Sequence, residues 1–338
     1  MPVLAVVNRR PEAPTLRIGV LGCADIAWRR SLPAMVVNPS VRPVAVASRD
    51  AGRAARFARR FGCAGLVGYD ALLDRDDVDA VYLPLPPGLH AAWADRALGA
   101  GKHVLVEKPL AVSHPEAEAL LAAARERRLV LLENVAFLHH GQHSVVRDLV
   151  RGGEVGTVRA MSSAFGFPPR PAPDIRYRRD LGGGALLDVG IYPLRAALFF
   201  LGPELEVVGS VLRMDRELGV DVSGAALLST PDGVTAEVSF GFENSYRCEY
   251  EIWGSAGRVQ VRRAFTTPPG FPPVVTVERQ DARARRLPIP PEDQFSNVFT
   301  NFARVVRSGA GLDGEHAGAL RQAALLDVIR DRARLVFA

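Results

Sequence analysis

HVLVEKP, residues His103–Pro109, is a short apolar run that ends in two opposite charges. Its first four residues predict a buried β-strand, and Glu107, Lys108 and Pro109 follow without a linker. Buried parallel strands are usually unbroken apolar runs, so a carboxylate and an ammonium group at the carboxyl end require an explanation. Ligands of open α/β sheets bind beside the carboxyl ends of the strands. The segment therefore predicts a ligand site. The simpler alternative is that Glu107 and Lys108 pair with each other or face solvent.

Strand-like and helix-like segments alternate on both sides of this run, from Leu16 to Val135. Short apolar runs predict strands at Leu16–Leu21, Pro43–Ala47, Gly65–Tyr69, Val78–Leu83, His103–Val106 and Val130–Val135. Helices are predicted after Gly22 and at Ala51–Phe61, Tyr69–Leu73, Leu89–Leu98 and Ser113–Arg127. The prolines of Leu83–Pro87 predict an extended loop, and Ser113 with Glu116 predicts a capping box. This alternation predicts a doubly wound parallel sheet.

The turn after the first strand, GCADIA at residues 22–27, has the form GxGxxG with alanine at the second and third glycine positions. Gly22 allows a tight turn, and Ala24 and Ala27 are small enough for the backbone to approach a ligand. A phosphate would bind at the N-terminus of the helix that follows. By itself the motif is weak, because a strand-to-helix turn without a ligand can have the same sequence.

Ser48, Arg49 and Asp50 follow the second strand, where dinucleotide-binding folds recognise the adenosine ribose. An acidic residue there binds the 2′-hydroxyl of NAD, whereas a hydroxyl group and an arginine accommodate the 2′-phosphate of NADP. Ser48 and Arg49 therefore predict NADP(H) as the cofactor, and the alternative is that Arg49 is an exposed loop arginine. Asp50 is predicted to cap the helix that begins at Ala51.

Beyond Val135 the pattern changes to short strands with glycine-rich turns. Strands are predicted at Thr157–Phe167, Glu206–Arg213, Ala225–Ser229, Gly233–Phe240, Arg247–Trp253 and Arg258–Val261, with an edge strand at Val274–Glu278. Helices are predicted at Phe137–Val150, Gly190–Leu201, Gln294–Ser308 and Gly314–Val336. This pattern predicts an α+β domain with a large, mostly antiparallel sheet. We expect a dinucleotide-binding domain at residues 1–135 and a substrate-binding and oligomerisation domain at 136–338, with one closing helix packed back on the first.

Composition excludes several classes of protein. The 42 basic and 37 acidic residues give a net charge of only +5, without the basic, aromatic-interleaved stripe of a nucleic-acid-binding protein. Three cysteines, an odd number far apart in sequence, argue against a disulfide framework and for a reducing compartment. No run of 18 apolar residues and no signal peptide is recognised, so we expect no membrane contact and a cytoplasmic location.

The glycine-rich segment LGGGALLDVGIYP, residues 181–193, contains a second set of candidate catalytic residues. If a helix begins near Leu186, Asp188 and Tyr192 are four residues apart and share one face. The histidine cluster at residues 139, 140 and 143 could suggest a metal site, but no carboxylate lies at matching spacing. We therefore expect substrate contact or ordinary packing there, and no metal.

In order along the chain, the segments GVLGCADIA, ASR, LPLPPGLH and VEKP resemble those of the glucose–fructose oxidoreductase, inositol dehydrogenase and rhizopine catabolism (Gfo/Idh/MocA) family. The resemblance runs from about Leu16 to the C-terminus and implies a Rossmann domain followed by an α+β domain. In that family the lysine of EKP lies beside the nicotinamide and the reacting carbonyl or hydroxyl group. The lysine–proline peptide there is often cis, which implies the same for Lys108–Pro109.

The family pattern GGGxLxDxGxH matches residues 182–192, with Asp188 in place and Tyr192 where most members carry histidine. Tyrosine there, like the segment GCADIAWRR, resembles the branch of sugar-nucleotide 3-ketoreductases of deoxysugar biosynthesis. The resemblance implies transfer of hydride from NADPH to the C3 carbonyl of a dTDP-linked keto-deoxysugar. We expect Lys108 to supply positive charge, Asp188 to orient the substrate or tune Lys108, and Tyr192 to act as general acid with its pKa lowered by the ammonium group. Whether Lys108 or Tyr192 donates the proton stays open.

Two alternatives remain at this point: a dehydrogenase of a free polyol or sugar, and a non-catalytic NADP-binding sensor. In each case we expect a homo-oligomer formed through the sheet of the second domain. Cofactor contacts are predicted for Gly22, Cys23, Ala24, Asp25, Ile26, Arg29, Arg30, Ser48, Arg49, Tyr69, Leu83, Pro84, His90, Glu107 and Lys108. Substrate contacts are predicted for Lys108, His139, His140, Arg176, Tyr177, Asp188 and Tyr192.

Overall fold

A computed structural model describes residues 14–171, 173–280 and 282–337. The first half forms a parallel sheet of six strands in the order β3-β2-β1-β4-β5-β6. Its strands are β1 Leu16–Leu21, β2 Val41–Ser48, β3 Ala64–Val67, β4 Ala80–Leu83, β5 His103–Glu107 and β6 Leu131–Asn134. Its helices are α1 Leu32–Val37 (preceded by a π-helical turn, Ala27–Ser31), α2 Ala51–Phe61, α3 Asp70–Leu73, α4 His90–Gly99 and α5 His114–Glu126. The predicted doubly wound sheet is confirmed, and its strand order reverses between β1 and β4, where such sheets bind ligands.

Helix starts in this half follow the predicted capping chemistry with two differences. Asp50 caps α2 by accepting the backbone N–H of Arg53 at 2.6 Å, as expected. Ser113 caps α5, but the Glu116 carboxylate lies 3.4 Å from the N–H of Val112 instead of returning to Ser113, so the capping box is only half formed. The proline loop is not extended throughout, because Pro87–Leu89 forms a 3₁₀ turn that leads directly into α4.

The second half contains a mixed, mostly antiparallel sheet of nine strands in the order β14-β13-β12-β11-β7-β10-β9-β8-β15. Its strands are β7 Val158–Gly166, β8 Glu206–Met214, β9 Asp221–Ser229, β10 Thr235–Gly241, β11 Arg247–Gly254, β12 Gly257–Arg262, β13 Val274–Arg279, β14 Arg285–Pro288 and β15 Arg334–Phe337. Its helices are α6 Gly141–Arg151, α7 Ile191–Leu201, α8 Gln294–Ser308 and α9 Leu312–Asp331. The predicted α+β architecture is confirmed.

Two details of this sheet differ from the sequence prediction. The strand β13 is not an edge strand, since it pairs with β12 on one side and with β14 on the other. The last predicted helix is too long, because α9 ends at Asp331 and Arg334–Phe337 adds a parallel strand beside β8. An apolar run of that length fits either a helix end or a short strand, so periodicity alone does not separate them.

Both closing helices pack on the first sheet, where one was expected. The aromatic face of α8 buries Phe299 and Phe302 against the side of the sheet that carries Tyr82. Burial of a phenylalanine of this kind contributes about 2 kcal/mol. Helix α9 contacts α5 and β6 of the first sheet and β8 of the second. The chain therefore returns to the first sheet after completing most of the second.

The helical stretch Arg179–Leu201 is long and apolar enough, by composition, to cross a membrane. Its most apolar window is 72% buried inside the protein. Ile191, Leu194 and Ala197 lie in the hydrophobic core beneath the second sheet. Core packing therefore accounts for its apolar character.

Candidate active site

Lys108 lies at the carboxyl end of β5, and its side chain crosses to the helical segment of the second half. Its Nζ donates to the backbone carbonyl of Asp188 at 2.6 Å and to Asp188 Oδ1 at 2.8 Å. The same nitrogen lies 5.1 Å from the centroid of the Tyr192 ring. The Lys108–Pro109 peptide bond is cis, as the family resemblance implies. The structure thus brings together Lys108, Asp188 and Tyr192.

Asp188 is held between two cations. Its Oδ1 accepts from Lys108, and its Oδ2 accepts from Arg176 Nε at 2.6 Å. Burial alone would raise the pKa of Asp188, but Lys108 and Arg176 outweigh it and lower the pKa to about 2. Burial alone would lower the pKa of Lys108, but Asp188 and Tyr192 outweigh it and the pKa is raised. Both groups are therefore charged at neutral pH.

Only part of the hydrogen-bonding capacity of Lys108 is used. An ammonium group has three N–H donors, and Asp188 accepts from two of them. The Lys108 side chain is 12% exposed, so the remaining donor has access to a ligand. Because a fixed, partly desolvated cation stabilises developing negative charge, Lys108 can stabilise an oxyanion.

The ring of Tyr192 packs in an aromatic box formed by Phe137, Phe165 and Phe265, with ring centroids 6.0, 5.2 and 5.8 Å away. Burial raises the pKa of Tyr192 to about 12, although Lys108 lowers it in part. The predicted lowering of this pKa is therefore wrong, because desolvation outweighs the ammonium group. Within the described part of the chain no side chain or backbone group hydrogen-bonds the hydroxyl, so it is available to a ligand. Its raised pKa keeps it protonated at neutral pH.

Asp221, which the sequence did not suggest, holds the start of this helical segment. Its Oδ2 accepts the backbone N–H of Leu186 at 2.6 Å, where the π-helical turn Leu186–Gly190 begins. Gly184 lies against the same carboxylate with φ +122°, and a Cβ there would be 2.3 Å from Asp221 Oδ1. Only glycine fits this position, which gives one of the three consecutive glycines a defined role. No local pattern could have revealed Asp221, since it is 35 positions from its partner.

Glu107 does not pair with Lys108, so the surface ion pair considered from sequence is absent. Its Oε1 accepts from the Tyr82 hydroxyl and from Asn134 Nδ2, both at 2.6 Å. The hydroxyl of Ser31 in turn donates to the Tyr82 oxygen at 2.7 Å. Burial raises the pKa of Glu107. These hydrogen bonds join the carboxyl ends of β4, β5 and β6, which carry Tyr82, Glu107 and Asn134.

The carboxyl edge of the first sheet is here called the crevice. At its end away from Lys108, beyond β1, β2 and β3, it carries Cys23, Ser48, Arg49 and Tyr69, all predicted cofactor contacts. Burial raises the pKa of Tyr69, and the positive charge of Arg49 lowers it in part. Burial also raises the pKa of Cys23 to about 11, with Arg53 opposing it. Arg53 was missed from sequence, and its position one turn after the Asp50 cap was the available signal. A buried hydroxyl flanked by two exposed arginines suits a dianionic phosphate.

The turn after β1 is tight and packs against Leu85. Gly22 adopts φ +124°, and a Cβ there would be 2.7 Å from Leu85 Cδ2. The residues after it open the helix beside the end of β1, with Ala24 and Ile26 half-buried and Asp25 exposed. Arg29 pairs with Asp25 at 2.5 Å on the surface. Arg30 donates to the Thr267 carbonyl at 2.8 Å and so links this helix to the second half instead of to the turn.

Several predicted contact residues are enclosed by protein. The side chain of His90 is completely buried, and its ring nitrogens lie 2.7 Å from the carbonyl oxygens of Leu85 and Pro109. Burial lowers the pKa of His90 to about 4. Leu83 and Pro84 are buried as well, and they serve as the floor beneath the crevice.

The histidine cluster does not converge on Lys108. His140 is buried and caps α6, with its Nδ1 accepting the N–H of Gln142 at 3.2 Å. His139 is half-buried, and burial lowers its pKa. Tyr177 is half-buried beside Phe242, and its hydroxyl accepts the N–H of Arg170 at 3.1 Å. In residues 14–171, 173–280 and 282–337 no group of three or more His, Cys, Asp or Glu side chains has the arrangement of a metal site.

Residues 16–135 match the family described as "Oxidoreductase family, NAD-binding Rossmann fold", and residues 143–260 match "GFO/IDH/MocA C-terminal domain". The chain belongs to the Gfo/Idh/MocA family. A dTDP-3,4-didehydro-2,6-dideoxy-alpha-D-glucose 3-reductase from Streptomyces antibioticus is 54% identical over 96% of this chain and 98% of its own. A D-xylose 1-dehydrogenase (NADP(+)) from Haloferax volcanii is 34% identical over 87% of this chain and 90% of its own.

Among solved structures, a 3-ketoreductase from Actinomadura kijaniata in complex with NADP and TDP-benzene has a TM-score of 0.94. It is 52% identical and covers 96% of this chain and 100% of its own. The Actinomadura enzyme has also been solved with one lysine replaced and with one tyrosine replaced. That lysine and tyrosine are separated by the same number of positions as Lys108 and Tyr192.

Proposed function

We propose that this protein uses NADPH to reduce the C3 keto group of a dTDP-linked keto-deoxysugar, in the biosynthesis of unusual sugars such as those of antibiotics. The observation that carries the proposal is the arrangement of Lys108, Asp188 and Tyr192 at the ligand-binding edge of the first sheet. Similarity over nearly the whole length to 3-reductases of dTDP-sugars supports the substrate class. Tyrosine in place of the usual histidine of the family supports it further.

The reaction adds a hydride to C3 and a proton to its oxygen, so the oxygen carries growing negative charge before protonation. Bound NADPH would supply the hydride. The free N–H of Lys108 donates to the carbonyl oxygen and stabilises that charge, while Asp188 and Arg176 hold the ammonium group in place. Tyr192 donates its hydroxyl proton, and the resulting phenolate lies beside Lys108 until solvent reprotonates it. A phenol whose pKa is raised to about 12 stays protonated until the oxyanion forms.

The residues at the far end of the crevice fit NADP(H) in preference to NAD(H). Ser48 and Arg49, together with Arg53, would hold the 2′-phosphate, and the turn at Gly22 would hold the diphosphate. The end of β2 offers Asp50 as its nearest carboxylate, and that group caps α2 instead of presenting itself to a ribose. The presence of NADP in the related Actinomadura structures supports this assignment.

A dehydrogenase of free sugars is the weaker candidate. The D-xylose dehydrogenase relative is 34% identical, against 54% for the dTDP-sugar reductase. A non-catalytic NADP-binding sensor would not need Lys108 and Tyr192 placed together beside an acceptor site. The placement of Lys108 and Tyr192 therefore favours catalysis, and the sequence identities favour a nucleotide sugar as the substrate.

Two further expectations belong to the proposal. A homo-oligomer, either dimer or tetramer, would form through the open face of the second sheet, where Trp253 is 60% exposed and Val208 is 62% exposed. Burying large apolar side chains of this kind supports association between copies. A cytoplasmic location is supported by three cysteines that are all free thiols.

The test is NADPH oxidation, followed by the absorbance of the reduced nicotinamide, with a 3-keto dTDP-sugar generated in the cuvette by a sugar 2,3-dehydratase. We expect rapid oxidation with NADPH, much slower oxidation with NADH, and none with the dehydratase omitted. Mass spectrometry should show a product two hydrogens heavier than the keto sugar. Rapid oxidation of free polyols without any nucleotide-sugar turnover would contradict the proposal.

A further inference from the structure

Glu133 is a buried carboxylate with no part in the proposed reaction. It lies in β6 one residue before Asn134, and its side chain is 2% exposed. The side chain lies on the face of the first sheet that packs against α9. A carboxylate in such a place costs several kcal/mol unless it is paired and hydrogen-bonded. The contacts of Glu133 therefore indicate its role.

One oxygen of Glu133 joins two separate elements. Its Oε1 accepts the backbone N–H of Leu110 at 2.8 Å and Gln322 Nε2 at 2.7 Å. Leu110 is two residues after Lys108, so the first bond fixes the chain just beyond the lysine. Gln322 belongs to α9, so the second ties that loop to the closing helix.

The other oxygen of Glu133 faces a third element. Its Oε2 lies 4.0 Å from Arg195 Nη1, and neither atom has a hydrogen-bond partner among the described residues. Arg195 is on α7, one helical turn after Tyr192, and its guanidinium group packs beside Gly318, where a Cβ would be 2.7 Å away. Burial raises the pKa of Glu133, and Arg195 lowers it in part. Two further groups lie at the same junction: the charge of Glu315 raises the pKa of Glu133, and the charge of Arg195 lowers the pKa of His139.

We propose that Glu133 is a positioning residue for the reaction, one that sets the lysine loop of the first half against the tyrosine helix of the second. The proposal rests on the proposed function for what is positioned. A buried ion pair is a weak source of stability, because desolvation of the charges offsets their attraction. Its recognised use is to favour one arrangement of the surrounding elements over others. Here that arrangement is the distance between Lys108 and Tyr192.

The first test is Glu133→Gln, which keeps the size of the side chain and an acceptor for the Leu110 N–H but removes the charge that faces Arg195. We expect kcat to fall about 10- to 100-fold, the range for a small misplacement of reacting groups, with KM and the Kd for NADPH within about twofold. The melting temperature should fall, because Arg195 keeps a buried charge that has lost its counter-charge, so kcat is compared at a temperature well below both transitions. Glu116→Gln, at an exposed glutamate, is the matched control and should leave kcat unchanged. A purely structural Glu133 would lower the melting temperature in the same way but would leave kcat, expressed per NADPH-binding site, unchanged.

A double-mutant cycle separates positioning from a general loss of activity. If Glu133 acts through Lys108, Glu133→Gln should cost less than about twofold in a Lys108→Met background. An equal loss in both backgrounds, or a kcat within twofold of wild type for the single variant, would overturn the inference. The crystal structure of Glu133→Gln gives a readout without substrate: Lys108 Nζ should leave hydrogen-bonding distance of Asp188 Oδ1, and an unmoved lysine would overturn the inference. Failure of wild-type protein to turn over the nucleotide sugar would contradict the proposed function alone, and the crystal structure would still decide the role of Glu133.

Discussion

The two ends of the candidate site hold their cations in opposite ways. At the cofactor end, Arg49 and Arg53 are exposed, and neither forms an ion pair with a carboxylate of the described chain. At the reaction end, Lys108 and Arg176 are largely enclosed and share Asp188 between them. A dianionic phosphate brings its own charge to the first pair. At the second pair the substrate is neutral at its reacting carbon, so the protein must fix the cation before the charge develops.

Replacing Lys108 tests this difference between the two ends most directly. We expect Lys108→Met to lower kcat about 100- to 1,000-fold, because it removes a preorganised cation from the developing alkoxide. The Kd for NADPH, measured by nicotinamide fluorescence, should stay within about threefold, because the cofactor end keeps its own arginines.

Lys102, the other lysine of the chain, provides the matched control. Its Nζ donates to the carbonyls of Arg75 and Val78, away from the site. Lys102→Met should therefore lower stability while leaving kcat intact. If Lys108→Met weakened NADPH binding as much as it lowered kcat, the two ends would not be separate in function.

Tyr192→Phe tests the proton donor at the reaction end. We expect kcat to fall about 100-fold, the usual loss when a positioned general acid is removed. The melting temperature should change little, because phenylalanine fills the same aromatic box. Tyr246→Phe, at an exposed tyrosine just before β11, is the control. A full kcat for Tyr192→Phe would transfer the role of acid to Lys108.

Arg49→Glu tests the cofactor end. Loss of a charge-assisted hydrogen bond to phosphate, and its replacement by a repelling carboxylate, should raise the Kd for NADPH about 10- to 100-fold. The Kd for NADH should change less than about threefold, since NADH has no 2′-phosphate for the arginine to bind. Arg59→Glu on the exposed face of α2 makes the same charge change at a distance. An equal loss for both cofactors would indicate that Arg49 acts through local structure and not through the phosphate.

The same contrast explains what the sequence could and could not predict. The first sheet and α2 and α8 follow from apolar spacing and caps, and the bounds Ala51–Phe61 and Gln294–Ser308 are as predicted. The strand β14, RRLP, has no apolar run to reveal it. Lys108, Asp188 and Tyr192 lie in motifs that are recognisable from the sequence alone. The raised pKa of Tyr192, the Asp221 contact and the Glu133–Arg195 junction depend on burial and on partners distant in sequence, which local patterns do not contain.

Within the reaction end, Asp188 and Asp221 repeat the contrast on a smaller scale. Cations lower the pKa of Asp188 to about 2, whereas burial raises the pKa of Asp221 to about 6, above the unfolded value of 3.8, although backbone N–H groups face it. Because the pKa of Asp221 is higher in the folded protein, its neutral carboxyl group adds to the free energy of unfolding below about pH 4. This contribution is lost as the pH rises through about 6.

Asp221→Asn should remove this dependence, so the free energy of unfolding of wild type relative to the variant should fall by about 2 kcal/mol between pH 4 and 7. Urea denaturation of both proteins across that range measures the difference, with the contributions of all other groups cancelling. The lowered pKa of Asp188 acts below pH 4 and in the opposite direction, since its stabilisation is lost as the pH falls from 3.8 towards 2. A variant that instead loses stability relative to wild type as the pH rises would show that the Leu186 N–H stabilises the ionised Asp221. In that case the carboxylate at the start of this helical segment would hold its charge by hydrogen bonds, much as Asp188 does with cations.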